Sequence, residues 1–245
     1  MILLCKIHFS LHIVPLNSKR KSLGLHYALN LFYIIELNIL YDILRIMKRA
    51  LELYQVFISD NRKWLRLVLI WFGISILIGV ATFFVYPELL EEILKQFEEK
   101  FGPERALDFS MVMDIFLNNI GVAGIGIVGG FILGIGPFLV VVVNGFLLGF
   151  ITISVFNIMS GDFFSALWFL ILGLLPHGIL EIPAFLVAAV LGLRLGMNWT
   201  QAERGSRFAV FKKDFLYTAK GFVIITLVLF LAALIEVYVT GNLLN

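Results

Sequence analysis

The sequence predicts an all-α protein, a polytopic bundle of transmembrane helices, and three observations support this prediction. Hydrophobic residues make up 60% of the 245 residues, charged residues make up 15%, and the mean hydropathy is +0.98. A soluble domain has about 45–50% apolar and about 25% charged residues. The apolar segments also run on for about 20 residues, the length of a membrane-spanning helix, without the period of two that a transmembrane β-strand requires.

The first 46 residues do not follow the pattern of the rest. They hold Cys5, the only cysteine, and three of the four histidines, and a basic tripeptide interrupts their first apolar stretch. Met47 opens M-K-R-A-L-E-L-Y, which is typical of a membrane protein with a short basic N-terminus. We therefore expect translation to begin at Met47, with an untranslated extension before it and one transmembrane domain over 47–245. The alternative is a translated interfacial helix at 28–46.

Five apolar segments predict the membrane crossings, because each is long enough for a hydrocarbon core of about 30 Å. They are Leu65–Tyr86, Met111–Gly134, Pro137–Phe156, Phe163–Leu193 and Lys220–Tyr238. Between the first two, apolar residues recur at helical spacing over 88–101, with acidic residues between them. This pattern predicts an amphipathic surface helix.

The fourth apolar segment, 163–193, is long for one crossing and short for two. It contains Pro176 and Pro183, each of which removes one backbone N–H from the helix. We therefore expect one broken helix, interrupted around 176–183. A single crossing here gives five crossings in all, and two crossings would give six.

The distribution of charge favours five crossings. The segment 87–110 contains seven acidic and three basic residues, whereas 194–220 contains six basic and two acidic ones. Basic loops stay on the cytoplasmic side of a membrane. We expect a cell-membrane protein with the N-terminus and the 194–220 loop in the cytoplasm and the 87–110 loop outside. Five crossings satisfy this arrangement and six do not.

Two rows of small residues predict close helix packing in the middle of the chain. Glycines spaced four residues apart let helix backbones approach each other within a bilayer. The packing glycines are Gly126, Gly130, Gly134, Gly145 and Gly149.

Four polar residues in the apolar segments form the candidate site. His177 and Glu181 lie four residues apart, so they share one face of a helix. Asn118 and Asn144 supply amide groups on the second and third spans. An ionisable residue at the centre of a membrane helix costs about 2.5–3.5 kcal/mol, so it needs a partner or a polar cavity.

These four residues allow three interpretations. They can be structural and hydrogen-bond between helices. They can form a substrate or ion site beside a discontinuous helix, as in transporters. They can bind a metal or perform acid-base chemistry, although two ligands do not make a metal site and no other histidine or cysteine lies in the spans. We expect no cofactor and no metal.

Three motifs resemble the stage II sporulation protein M family of multi-pass membrane proteins. They are F-L-N-N-I-G-V-A at 116–123, V-N-G-F-L-L-G at 143–149, and L-L-P-H-G-I-L-E-I-P-A at 174–184 followed by G-L-R-L-G at 192–196. The resemblance covers about 65–238 and leaves out the first 46 residues. It implies a membrane anchor that assembles peptidoglycan-degrading partners in spore-forming bacteria. It brings no catalytic motif.

We therefore expect a non-enzymatic membrane scaffold or partner-recruiting subunit. Its expected partners are membrane lipid and either other proteins or further copies of the chain, and no nucleic acid. The alternative is a small-molecule or ion transporter, or the membrane subunit of one. A transporter needs a hydrated path through the four polar residues, whereas a scaffold tolerates a sealed interior.

Overall fold

The protein is described here from a computed structural model, which describes residues 45, 52, 55–101, 107–159 and 162–244. The chain divides into two compact units, Met1–Asp60 and Asn61–Asn245. The expected extension before Met47, apart from Arg45, and the alternative helix at 28–46 lie outside the described residues. The start at Met47 lies outside them as well and stays a prediction.

Every element in the described ranges is helical. We label the long and short α-helices in chain order: α1 Gln55–Val85, α2 Leu89–Phe101, α3 Phe109–Val128, α4 Ile135–Ile158, α5 Phe163–Gly173, α6 Leu175–Gln201, α7 Arg207–Ile235 and α8 Gly241–Leu244. A 3-10 turn, Gly129–Phe131, extends α3, and a π-helical turn, Glu236–Thr240, extends α7. The all-α prediction is confirmed.

Five helices in the described ranges are long and apolar enough to cross a membrane, namely α1, α3 with its 3-10 turn, α4, α6, and α7 with its π-helical turn. The prediction of five spans is therefore confirmed. The surface helix expected over 88–101 is α2, within one residue. Helix α5 has 11 residues and a length of about 16 Å at 1.5 Å per residue, so it is too short for the second crossing within 163–193 that six crossings would require.

The break in the fourth apolar segment lies at Leu174, two residues before the expected interval of 176–183. Helix α6 is continuous through that interval. Pro176 occupies the first turn of α6, where its missing N–H would have no intrahelical partner in any case. It therefore starts a helix instead of interrupting one. Pro183 lies inside α6 and does not end it.

The 194–220 loop expected from the basic residues is not a loop. Helix α6 continues to Gln201 and α7 begins at Arg207, so the connection is only 202–206. Charge alone suggested a solvated segment. The α6 and α7 helices pack extensively against each other, however, and this packing extends helical structure through the charged positions.

The contact between α3 and α6 is a backbone-to-backbone contact made by glycines. A methyl group added to Gly192 would lie 2.0 Å from the carbonyl oxygen of Gly126, and one added to Gly196 would lie 1.9 Å from that of Gly130. The two predicted packing glycines of α3 thus face the G-L-R-L-G segment of α6. Gly134 has a different place: its φ of +79° puts it in the left-handed turn that precedes α4.

The second glycine row joins α4 to α1. An added methyl group at Gly145 would lie 2.1 Å from Ser75 Oγ, and one at Gly149 would lie 2.1 Å from the carbonyl oxygen of Ile76. Gly79 of α1 approaches the carbonyl of Phe146 equally closely, at 2.1 Å. Both rows therefore place helix backbones where only hydrogen atoms fit between them.

Replacing Gly192 by alanine should destabilise the protein by about 1–3 kcal/mol, because the new methyl group would overlap a backbone carbonyl that cannot rotate away. The matched control is Gly124→Ala on α3, where no atom lies within 4 Å of the added group. The measurement is the free energy of unfolding in mixed detergent and SDS micelles. Equal stability of the two variants would contradict the close α3–α6 contact.

Helix α5 is capped by Asp162. The Asp162 carboxylate accepts hydrogen bonds from the backbone N–H groups of Phe164 (3.1 Å) and Ser165 (3.3 Å) and from the Ser165 hydroxyl (2.6 Å). These bonds lower the pKa of Asp162 below its usual range, and the bond from the Ser165 hydroxyl has the largest effect. Because the pKa of Asp162 is lower in the folded than in the unfolded protein, its ionisation stabilises the fold fully at pH values above the unfolded-state pKa. This stabilisation is lost as the pH falls through the folded-state pKa.

Lowering the pH through the pKa of Asp162 should therefore loosen the first turn of α5. Hydrogen exchange at the Phe164 and Ser165 amides should accelerate relative to Asp162→Asn, which keeps the capping acceptor but does not titrate. The ratio of exchange rates between wild type and Asp162→Asn, taken at each pH, removes the intrinsic pH dependence of exchange. A ratio that stays constant between pH 2 and pH 6 would contradict the capping role.

Candidate functional site

Helix α6 carries a polar cluster near each of its ends. His177 lies in its first turn and Arg194 lies 17 residues later, about 26 Å further along the helix axis. The first cluster lines a cavity and the second is a closed hydrogen-bonded network.

The cavity at the His177 end has a volume of about 420 Å³ and is called the His177 cavity below. Its walls come from α2, α3, α4, α6 and the π-helical turn. The lining residues are Ile93, Gln96, Met111, Ile115, Asn118, Asn119, Leu147, His177, Glu181 and Glu236. Binding pockets for small ligands have volumes of about 300–1,000 Å³ and combine mostly apolar walls with a few polar groups, so this cavity has the size and composition of a binding site.

His177 is held by the end of the last span. Its Nδ1 atom is in direct contact with the Glu236 carboxylate and lies 3.4 Å from the Thr240 hydroxyl. Glu236 and Thr240 are the first and last residues of the π-helical turn, and both meet His177. Such turns occur often at functional sites. The turn therefore positions the polar groups that meet His177.

Glu181 faces the amides of α3. The Asn119 side chain interacts with the Glu181 carboxylate, and Asn118 Nδ2 donates to Asn119 Oδ1 over 3.1 Å. Asn119 is 5% exposed, so its amide is fixed in the wall and not in solvent. The four-residue spacing that places His177 and Glu181 on one face of α6 directs both toward the cavity.

Three of the four candidate residues, Asn118, His177 and Glu181, line this cavity together. Asn144 does not: its Nδ2 atom donates to the carbonyl oxygen of Val140, 2.7 Å away on its own helix. Two cavity residues, Asn119 and Glu236, were not among the candidates. Glu236 is an acidic residue in an apolar span, and this signal could have identified it from the sequence.

Within the described residues, no three His, Cys, Asp or Glu side chains are placed so that they could hold a metal ion together. The described residues that line the cavity include no serine, cysteine, lysine or tyrosine that could act as a nucleophile.

The residues one turn below the cavity are small or apolar and buried. One turn further into the bundle, α3 presents Ala123, α6 presents Ala184 and Phe185, and α7 presents Ala232 and Ala233. These five residues are between 0% and 6% exposed. Beyond them, the α3–α6 glycine contact leaves no space between the two backbones. The described residues on this side of the cavity are therefore closely packed.

The second cluster surrounds Arg194, which is 7% exposed. Its Nε atom donates to Asp214 Oδ1 over 2.7 Å, and its Nη1 atom donates to Asn61 Oδ1 over 3.0 Å. The guanidinium also lies 4.1 Å from the centre of the Tyr217 ring. Arg194 thus connects α6 to α1 and α7 at once.

The other polar atoms of this network are also paired. Asn198 Nδ2 donates to the second Asp214 oxygen over 2.9 Å, and Asn198 Oδ1 accepts from Trp64 Nε1 over 3.1 Å. Asn61 Nδ2 lies 3.2 Å from the Tyr217 hydroxyl. A buried ion pair is tolerated when its remaining hydrogen-bonding groups are satisfied in this way, so the network is best explained as a structural clamp.

The fold and the two clusters define a class: a multi-pass helical membrane protein with a polar cavity at one end of its bundle. The family model for stage II sporulation protein M matches residues 68–241, which include the described residues that line the His177 cavity and the glycines of both helix contacts. The chain belongs to the stage II sporulation protein M family. No curated protein and no solved structure matches this chain significantly.

Removing one partner of the buried pair should be strongly destabilising. Asp214→Ala leaves the Arg194 guanidinium buried without its anion, which should cost about 3–5 kcal/mol of the free energy of unfolding. The exposed neighbour variant Lys213→Ala should change it by no more than about 0.5 kcal/mol. Unfolding in SDS-containing micelles measures both. The double variant Arg194→Met with Asp214→Leu, which replaces both partners with apolar residues, should recover much of the lost free energy of unfolding. A double variant as unstable as Asp214→Ala would contradict the clamp.

Proposed function

We propose that this protein is a non-enzymatic membrane scaffold that recruits partners through the end of the bundle bearing the His177 cavity. The observation that carries the proposal is the burial of the residues one turn below this cavity. Asn118, His177 and Glu181 line the cavity, whereas Ala123 and Ala184 below them are buried. A cavity with closely packed residues below it can receive a group from a partner without offering a path across the membrane.

The distribution of charge supports an orientation for this scaffold. The Arg194 end carries exposed basic residues, and the cavity end carries exposed acidic ones. The basic set is Arg62, Lys63, Arg66, Arg204, Arg207, Lys212 and Lys213; the acidic set is Glu88, Glu91, Glu92, Asp108, Asp114 and Asp162. By the positive-inside tendency, the Arg194 end is cytoplasmic and the cavity opens outside the cell membrane.

Helix α2 is the main contact surface on the outer side. It begins directly after the first span, and Tyr86 Oη donates to Glu92 Oε1 over 2.5 Å across the intervening turn. This bond, with the nearby negative charge, raises the pKa of Tyr86 and ties α2 to the end of α1. Ile93 and Gln96 of α2 reach the cavity wall, so a partner that binds α2 also meets the cavity.

One observation favours a second candidate function, transport of a small molecule or ion. Three ionisable side chains, His177, Glu181 and Glu236, lie in membrane-spanning segments and share one cavity. Ionisable residues in this position mark substrate paths in many transporters. A transporter, unlike a scaffold, must expose the cavity to each side of the membrane in turn.

Thiol accessibility distinguishes the two functions. Single cysteines at Asn118, Gln96 and Ala188 would be introduced into a Cys5→Ser background and treated with a membrane-impermeant thiol reagent, in vesicles of each orientation. The scaffold proposal expects labelling of the Asn118 and Gln96 positions from the outer side only. It expects no labelling at Ala188, which is fully buried below the cavity.

Two positive controls fix the sidedness of the vesicles. A cysteine at Glu88 should react only from the cavity side, and one at Gly205 should react only from the Arg194 side. Labelling of the Asn118 position from both sides, or of Ala188 from either, would reveal a path through the bundle. That result would overturn the scaffold proposal and establish the transport candidate.

A further inference from the structure

The described lining of the His177 cavity contains more acidic than basic groups. It has two carboxyl groups, Glu181 and Glu236, and one imidazole, His177. The imidazole is in contact with Glu236 and interacts electrostatically with Glu181, which also interacts with the neutral amide of Asn119. One imidazolium can neutralise only one carboxylate, so a second cation in the cavity would stabilise the ionised form of Glu181.

The surroundings of the cavity also favour a cation. At the starts of α2 and α3 next to the cavity, over the segments 88–96 and 107–114 whose side chains are described, five exposed side chains are acidic and one, Lys95, is basic. Clustered charge of one sign raises the local concentration of ligands of the opposite sign. The entrance is open enough for this purpose, since the Glu236 side chain is 32% exposed and that of His177 is 14% exposed.

The walls limit what kind of cation fits. Ile93, Met111, Ile115 and Leu147 supply hydrocarbon around the polar groups. A hydrated metal ion gains nothing from such walls, and the described residues contain no set of three metal ligands. An ammonium group on an aliphatic stem uses both features, because its head binds a carboxylate and its methylene groups pack against apolar side chains.

We propose that the His177 cavity binds an ammonium group carried on a short aliphatic stem, with Glu181 as its counter-ion and the Asn118–Asn119 amides beside it. This proposal rests on the proposed function and deepens it, since a lysine of a recruited protein carries this group. A free alkylamine carries the same group, and the test separates the two sources.

The test measures binding to the full chain in phosphatidylcholine nanodiscs, with n-butylammonium chloride as the probe and isothermal titration calorimetry as the readout. Saturable binding is expected, whereas n-butanol and potassium chloride at the same concentrations should give none. Glu181→Gln should weaken the binding of butylammonium at least tenfold. The control is Glu203→Gln, which removes an exposed carboxylate at the opposite end of the bundle and should leave binding unchanged.

A second measurement tests the same site without the Glu181→Gln variant, in case that variant does not fold. In the Cys5→Ser, Asn118→Cys protein, saturating butylammonium should slow alkylation by a neutral thiol reagent at least threefold, and n-butanol should not slow it. Absence of saturable binding together with unchanged alkylation would overturn the ammonium site. Equal binding to wild type and a folded Glu181→Gln would overturn it as well. Neither result would affect the one-sided accessibility on which the scaffold proposal depends.

A pair of peptides distinguishes the two sources of the ammonium group, a lysine of a partner protein and a free alkylamine. A soluble peptide with one lysine should compete with butylammonium, and the same peptide with norleucine in place of lysine should not. Tighter binding of the lysine peptide than of butylammonium would identify a partner protein as the source. Weaker binding of the peptide would identify a free amine, and both results keep the ammonium site.

Discussion

The structure depends on one close contact, the approach of the α3 and α6 backbones at Gly126–Gly192 and Gly130–Gly196. In a bilayer, apolar side chains gain little by leaving lipid for one another, so helices associate mainly through packing and interhelical hydrogen bonds. Glycine permits the closest packing because nothing but hydrogen separates the backbones. This contact makes α6 the most buried of the five spans and the centre around which the others pack.

A central α6 explains why both polar clusters lie on this helix. Its middle section, around Ala188–Leu191, is fully buried and apolar, and its ends carry the charges. The end at Arg194 is closed by groups from α1 and α7, which satisfy one another's hydrogen bonds. The end at His177 keeps a cavity of about 420 Å³. The difference between a clamp and a cavity thus comes from how completely each cluster is satisfied by protein groups.

Part of this arrangement could be predicted from the sequence. The lengths of the apolar segments gave five spans, and the helical spacing of apolar residues gave α2 within one residue. The place of the helix break could not be predicted, because Pro176 is equally compatible with a kink and with a helix start. The structure decides this choice by ending α5 at Gly173 and beginning α6 at Leu175, on either side of Leu174.

The sequence alone determined the fold class, the family, and the positions of polar residues within apolar spans, because hydropathy and helical periodicity are local properties of the chain. Only the tertiary structure decided which residues meet. His177 meets Glu236, 59 positions away, and Arg194 meets Asp214 across two helices that pack in antiparallel order. Asn144 shares its residue type with Asn119, yet it bonds to its own helix while Asn119 faces Glu181. The rotation of each helix about its axis decides such pairings, and for α3 and α6 that rotation places glycines where the two backbones meet.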